Sequence, residues 1–379
     1  MNKKNDVYIY FSPATDITGT NLMTKLEISG GKVKPPVGKK LIIGWGTKAD
    51  DAMTFPKDTK ILNHPNAIKT NRNKLEAINL MATALNVNGA THVAAVATTD
   101  RVKTALANGA MVLPLIGRKK YHQGGKGFWS CPTSAQLDSA ITDGADYFQT
   151  MIPVKDEFRL HVFGDKVIHA VKKVKRTEEE FAAAFIEDEL ARQKSLAEKN
   201  NDPFDEATAK LMLGRQAKNA AQGGANMLVR SNRMGWKFAI VTKYDKALTD
   251  VAVKAVKALG LDFGAVDCCT DTSGNVFVFE VNSGPGLEAT SFDKYIEAFE
   301  KVISDLEDKP KEVKSEKKTT VTAPITKEKV TGTLKTEQIG EKDFMKMQLS
   351  RLSEMLDEAS DDELSTIKKL GAKLIFGGL

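Results

Sequence analysis

Long apolar runs are missing from this chain: none of its 379 residues lies in a stretch approaching the roughly 18 uninterrupted apolar positions that a membrane-spanning helix needs. Cysteine is scarce as well. The adjacent pair among Cys131, Cys268 and Cys269 would diverge on a strand, so neither a disulfide framework nor a zinc-type spacing exists, and the thiols are expected buried and reduced. Charge of one sign is not in excess. The 55 Lys and Arg interleave with 49 Asp and Glu, a balance of +6 that suits anionic small ligands and argues against a nucleic-acid partner. The apolar run Val7 to Phe11 behind Lys3 and Lys4 is too short for a signal-peptide core, so the expected place is the cytoplasm, with no membrane partner.

Aromatics are absent from Glu300 to Asp343, where Lys, Glu, Thr and Pro dominate. Such a stretch cannot bury a core and reads as a disordered charged linker over 304–343. Beyond it, Phe344, Met347, Leu352, Met355 and Leu356 line one amphipathic helix. Ser360 to Glu363 cap a second that carries Leu364, Ile367, Leu370 and Leu374. This tail, 344–379, either docks on the core, pairs with a copy of itself as a homo-oligomer, or holds a partner on a tether.

What is present before residue 304 is α/β (α+β) in texture. Runs at Val7 to Phe11, Lys40 to Trp45 and Lys60 to Asn63 read as strands of a small N-terminal α/β lobe over 1–70. Helical periodicity follows at Lys74 to Leu85. Short strands are expected at Thr91 to Ala97 and Met111 to Ile116 around a helix at Asp100 to Ala107, then strands at Tyr147 to Ile152, Glu157 to Phe163 and Val167 to Val174. Thr177 and Glu180 form a capping box that opens a helical insert over about 177–225, with helices at Phe181 to Lys199 and Ala207 to Ala221. Sheet is expected again from Met227 to Thr242, and a helix from Thr249 to Leu259.

Chemistry concentrates in the run Asn275 to Asn282. Glu280 and Asn282 sit two apart, so both point the same way from a strand, and a buried carboxylate is costly without a cation. Asp267 lies in the preceding apolar run, and the turn Asp271 to Gly274 is expected to place it diagonal to Glu280, on the side of Val278, Glu280 and Asn282. Three hard oxygen donors suit Mg2+ held by one or two carboxylates together with substrate phosphates.

Upstream, Gly124, Gly125 and Gly127 form a flexible loop flanked by cations, neither a Walker loop nor a Rossmann fingerprint. Ordered along the chain are Arg118, this loop, the stretch Gln149, Thr150, Met151 and Ile152, the trio Glu157, Phe158 and Arg159, then Arg230, Ser231 and Asn232, and finally Asp267, Glu280 and Asn282. In order and spacing the series resembles the ATP-grasp ligases, closest to the branch of the ribosomal-protein glutamate ligases, from about Asn63 to Glu288. The segment around Asn73, Lys74 and Leu75 looks like the entry to the first helix of that fold, so Lys74 joins the expected nucleotide-binding set.

The resemblance implies an ATP-grasp domain over 71–303 and assigns roles. Arg118 takes the place of a lysine on the α and β phosphates, and Gln123, Gly124, Gly125, Lys126 and Gly127 are the lid over the triphosphate. Gln149 to Ile152 form the hinge at the adenine edge, Glu157 takes the ribose hydroxyls, Arg230 with Asn232 meets the γ phosphate and metal, and Arg159 and Ser231 join the nucleotide-binding set. Asp267, Glu280 and Asn282 hold two Mg2+ ions, for which Mn2+ can substitute. Catalysis falls to Arg230 and to Lys173, which with Lys175 and Arg176 could steer an acyl phosphate. The implied activity joins a carboxylate to an amine on an amino acid, peptide or protein terminus. Phosphoryl transfer to another acceptor, or a nucleotide-binding assembly role, are the other readings. Arg118 in place of lysine, Thr150 in place of an acid and the long insert depart from the glutamate ligases. His122, in the lid, and His161 and His169, in strand patterns, read as surface or packing residues ahead of functional ones.

Overall fold

A computed structural model describes residues 3–48, 55–121, 127–222, 224–225 and 227–306. The chain divides into two units, Met1–Lys309 and Pro310–Leu379, and every described residue belongs to the first. The expected linker from 307 on and the expected tail lie outside the described residues, as do His122, Gln123, Gly124, Gly125 and Lys126 of the lid.

Three sheets carry the unit. The first is parallel: β1 (Val7–Phe11), α1 (Asp16–Leu26), β2 (Ser29–Gly31), β3 (Leu41–Trp45) and β4 (Lys60–Leu62) follow one another, with strand order β2-β1-β3-β4. Strands β1 and β3 are buried at every position, as central strands covered on both faces must be. Helices α2 (Pro65–Arg72) and α3 (Lys74–Leu85) lead out of it. The second sheet is antiparallel, built from β5 (Val96–Thr98), α4 (Val102–Ala107), β6 (Leu115–Arg118), β7 (Phe128–Cys131), α5 (Ser134–Thr142) and β8 (Tyr147–Thr150), in the order β5-β8-β6-β7. The third is antiparallel and larger. It comprises β9 (Val154–Phe163), β10 (Lys166–Lys175), the paired insert helices α6 (Glu178–Asn200) and α7 (Glu206–Gln222), β11 (Trp236–Ile240), α8 (Lys246–Ala258), β12 (Phe263–Asp271), β13 (Val276–Asn282) and α9 (Ala289–Ser304), ordered β11-β10-β9-β12-β13. Among the described residues no helix is long and apolar enough to cross a membrane.

Alternation along β9 sorts the third sheet into two faces. Phe158, Leu160 and Val162, with Val266, Cys268 and Val278, pack on Leu248, Val251, Ala252, Ala255 and Val256 of α8 and on Ile78, Met81 and Leu85 of α3. Each fully buried side chain of this kind contributes about 1.5–3 kcal/mol. The opposite face changes character along its length. At one end Phe163 and Phe263 stack with ring centroids 5.7 Å apart and join Trp45, Tyr295 and Phe299; at the other stand Glu157, Arg159 and Asp267.

Several expected boundaries move. Strand β5 covers only Val96–Thr98, because the carbonyl and ring of His92, inside the run expected as strand, bond to β13 instead. Only Trp236–Ile240 of the run from Met227 to Thr242 is strand, since Asn232–Met234 forms a 3-10 turn ending on Gly235 at φ 84°. Helices α1, α2, α5 and α9 were not expected from periodicity.

Candidate active site

Asp267 and Glu280 stand directly opposite each other on β12 and β13, not diagonally. The reason is a bulge. From the turn, Val276, Phe277 and Val278 pair in step with Thr270, Cys269 and Cys268; Asp267 then pairs with Glu280, leaving Phe279 as the extra residue. Uninterrupted pairing would have set Glu280 beside Val266 and turned it to the α8 core. Val278 therefore faces the core, 2% exposed, while Glu280 and Asn282 face the side of Asp267. The expected grouping of Val278 with the site face is corrected accordingly. The turn that starts this register is held by Asp271, whose Oδ1 accepts from the amides of Ser273 at 2.9 Å and Asn275 at 2.7 Å.

Asn282 Nδ2 donates to Glu280 Oε1 at 3.3 Å and to Asp267 Oδ2 at 3.4 Å, so the three oxygen-bearing side chains form one cluster. Each carboxylate also has a cation. Arg159, opposite Asp267 on β9, donates from Nε at 2.7 Å and from a terminal nitrogen at 2.8 Å, a bidentate fork. Lys74 Nζ lies 3.1 Å from Glu280 Oε2. A lysine in the first turn of a helix opposes the helix dipole, and the Glu280 carboxylate at that end offsets it. Burial pushes the Glu280 carboxyl up, but Lys74, Arg118 and the Asn282 amide outweigh it and hold the group down at about 2.

A second pair lies one step along the same face. Glu157 accepts from Lys173, and both are largely buried. Burial raises the Glu157 carboxyl, with Lys173 opposing the rise. Phe238 of β11 floors both cations, with its ring centre 4.9 Å from the Arg159 guanidinium and 5.9 Å from Lys173 Nζ. Phe238 was not foreseen; its place opposite Lys173 on the next strand is the signal that pairing supplies. Near the rings, burial, Arg159 and His169 push the His161 imidazole down to about 3, so it is neutral.

The remaining expected residues divide. Arg118 ends β6 with its guanidinium 5.6 Å from the Phe128 ring centre, close enough to act electrostatically on Glu280 and Tyr147. Gly127, the described end of the lid, adopts φ 60° and its carbonyl accepts from the Lys119 amide at 3.3 Å. In the hinge, the amides of Thr150 and Met151 donate to the carbonyls of Ala95 and Pro114, both at 3.0 Å, Gln149 pairs with Val96 and Ile116, and the Ile152 carbonyl accepts from Val154. Arg230 is buried, bonded to the Val154 carbonyl at 2.8 Å and stacked 4.7 Å from the Trp236 ring centre. Ser231 caps the 3-10 turn, and Asn232 accepts from Arg176 and lines a cleft of the insert with Phe181, Phe185 and Asp188. The structure thus gathers Lys74, Glu157, Arg159, Lys173, Asp267, Glu280 and Asn282, and sets Ser231 and Asn232 toward the insert.

Among the described residues no group of three or more His, Cys, Asp or Glu could hold a metal. The cluster supplies two carboxylates and an amide oxygen, a donor set that fits Mg2+ when phosphate oxygens and water complete the shell. Residues 154–306 match the family described as the RimK-like ATP-grasp domain. No curated protein matches the chain. Among solved structures the chain is similar to the ATP-grasp ligase PsnB complexed with minimal precursor, at 14% identity and TM-score 0.45 over 78% of this chain and 99% of that one. It is also similar to D-alanine–D-alanine ligase from Bacillus anthracis, at 11% identity and TM-score 0.47 over 79% and 98%, and to the macrocyclase MdnC bound with precursor peptide MdnA from Microcystis aeruginosa MRC, at 10% and 0.45 over 79% and 99%.

Proposed function

We propose, from the match of residues 154–306 to the RimK-like ATP-grasp domain, that the protein is a cytoplasmic ligase joining a carboxylate to an amine on an amino acid, peptide or protein terminus. ATP with Mg2+ supplies the γ-phosphoryl group that activates the carboxylate as an acyl phosphate, from which the amine displaces phosphate. The observation that carries the reading is the single sheet face on which Arg159, Asp267, Glu280 and Asn282 meet from three adjacent strands.

On that face Asp267, Glu280 and Asn282 would hold the cations. Arg159 orients Asp267 through its bidentate fork, and Lys74 and Arg118 give the neighbourhood the positive potential that phosphate oxygens require. Glu157 and Lys173 act as one unit: the carboxylate is the acceptor for ribose hydroxyls, and the ammonium it steadies faces the transferring group. Arg230, fixed by Val154 and Trp236, is the second catalytic cation. Hinge carbonyls are what Gln149 to Ile152 can offer an adenine amino group, since the amides of Thr150 and Met151 already donate. Gln123 to Gly127 would close over the triphosphate and keep water from the acyl phosphate.

The test is ADP release by the purified full chain with ATP, Mg2+ and either pooled amino acids or a cytosolic peptide extract, beside Glu280→Ala, with mass spectrometry of the products. Release that needs an added substrate and vanishes in the variant is expected, and the mass gain names what is joined. Nucleotide binding without release under any carboxylate and amine supply would overturn the ligase.

A further inference from the structure

The third sheet has two edges, and the chain treats them differently. Strand β13 is covered: the Val278 amide donates to the His92 carbonyl at 2.8 Å, and Asn71 Nδ2 to the Val281 carbonyl at 2.9 Å. Strand β11 is not. The Arg176 amide donates to the Gly235 carbonyl at 2.9 Å and the Val241 amide to the Ala170 carbonyl at 3.1 Å, so Lys237 and Ala239 turn their backbone groups to β10 while Phe238 and Ile240 turn theirs outward. Among the described residues nothing bonds those outward amides and carbonyls. A bare edge invites another strand, and β11 has no proline to blunt it and ends on Ile240, which is 59% exposed.

The edge adjoins the insert. Asn232 and Arg233, in the turn that leads into β11, line a cleft of about 100 Å³ with Phe181, Phe185 and Asp188, and a Cβ at Gly235 would lie 3.0 Å from the Phe181 ring. Cleft and strand thus form one track, an apolar socket followed by free backbone partners. Its unmatched charges are positive. Asp188 faces Arg233 at 3.8 Å, whereas among the described residues neither Lys175, with Nζ 6.0 Å from the Trp236 ring centre, nor Lys243 has a carboxylate partner. Two copies of this edge paired about a two-fold axis would bring Lys243 of each to the Trp236 end of the other, where Lys175 stands, so like charge opposes a second copy.

We infer that β11 and the insert cleft form a docking surface for an extended acidic peptide segment, which adds to the sheet as a strand with one apolar side chain in the cleft. Calling that segment part of a substrate rests on reading the protein as a ligase that acts on peptides or proteins. In this mode main-chain hydrogen bonds supply affinity and side-chain sockets supply selectivity. The position also sets a distance. Ile240 lies on the line of Val171, Arg159, Asp267 and Glu280 across the sheet, so a strand added beside β11 runs four strand spacings, about 19 Å, from Asp267. An extended chain spans that with about six residues, which separates the docked segment from the group that reacts.

The test uses the full-length protein without nucleotide and a fluorescent peptide of alternating Val and Glu that starts with Phe. Binding is followed by anisotropy and by amide hydrogen exchange over residues 236–240. The peptide should bind and slow that exchange. Its fully N-methylated form, its Lys-for-Glu form and the variant Ile240→Pro, which removes an outward amide where an edge strand tolerates proline, should each weaken binding at least about tenfold. Phe185→Ala should weaken the parent peptide and leave one that starts with Ala unchanged; equal weakening of both overturns the assignment of the cleft. No binding by the parent peptide, binding without slower exchange, or equal binding of the N-methylated form overturns the docking surface, as does a dimer in sedimentation that Ile240→Pro dissociates. If that variant does not fold, the peptide comparison on wild type decides. Docking by a protein that releases no ADP with any substrate would leave the surface standing and the ligase reading overturned, whereas ADP release without docking would overturn the surface alone.

Discussion

Arg159 and Asp267 form a pair whose partners differ in exposure, 23% for the arginine side chain and 9% for the aspartate. Removing one member leaves the other charge in a site built for two. Asp267→Ala should therefore destabilise the fold by about 3–5 kcal/mol, read by chemical denaturation. The double replacement Arg159→Met with Asp267→Leu should recover most of that stability and none of the ADP release. His161 gives a second prediction at this scale. Its folded-state imidazole titrates near 3 against an ordinary 6.5, so as pH falls the unfolded chain binds the proton first. The stability it contributes is present above 6.5 and is lost toward 3 at about 1.4 kcal/mol per pH unit. Glu280, held at about 2 against 4.5, loses its contribution in the same direction but only below 4.5. Glu157, raised by burial, works oppositely and is relieved by acid. Denaturation of His161→Phe as a function of pH should thus lose the acid slope between 6.5 and 4.5; an unchanged slope would show that another group carries it.

Among the elements, those legible in the sequence are those whose pattern is decided by one face. Helix α3 coincides with the expected Lys74 to Leu85, and β9, β10, β12 and β13 lie where alternation put them. The bulge was not legible, because no residue type announces that Phe279 is skipped; pairing against β12 decides it. The shared face of Asp267, Glu280 and Asn282 was therefore anticipated, but with the wrong neighbour, Val278. The Arg159 fork onto Asp267 was hidden for a similar reason, since adjacency of β9 to β12 is a fact of topology that local sequence does not carry. The capping box was legible in full: Thr177 Oγ1 accepts from the Glu180 amide at 3.2 Å and Glu180 Oε2 from the Thr177 amide at 3.0 Å. Thr177→Ala should cost about 1 kcal/mol at the start of α6, visible as faster amide exchange over the first turn with little change elsewhere.

For the molecule as a whole, ligand linkage offers the broadest check. If Mg2+ and ATP bind only the folded unit, melting should shift upward with nucleotide concentration, by a stabilisation of about 2.7 kcal/mol at a hundredfold excess over the dissociation constant. The shift should disappear in Glu280→Ala and persist in Thr177→Ala. The aromatic cluster bears on how the chain is made. Trp45, fully buried on β3, stacks on Phe263 at 5.4 Å and meets Tyr295 edge-on at 5.3 Å and Phe299 at 6.3 Å. The lobe of β1 to β4 carries an indole whose cover, Phe263, Tyr295 and Phe299, follows it by more than two hundred residues in the chain. A nascent chain stalled before Phe263 should therefore leave Trp45 without these ring partners and present it to chaperones.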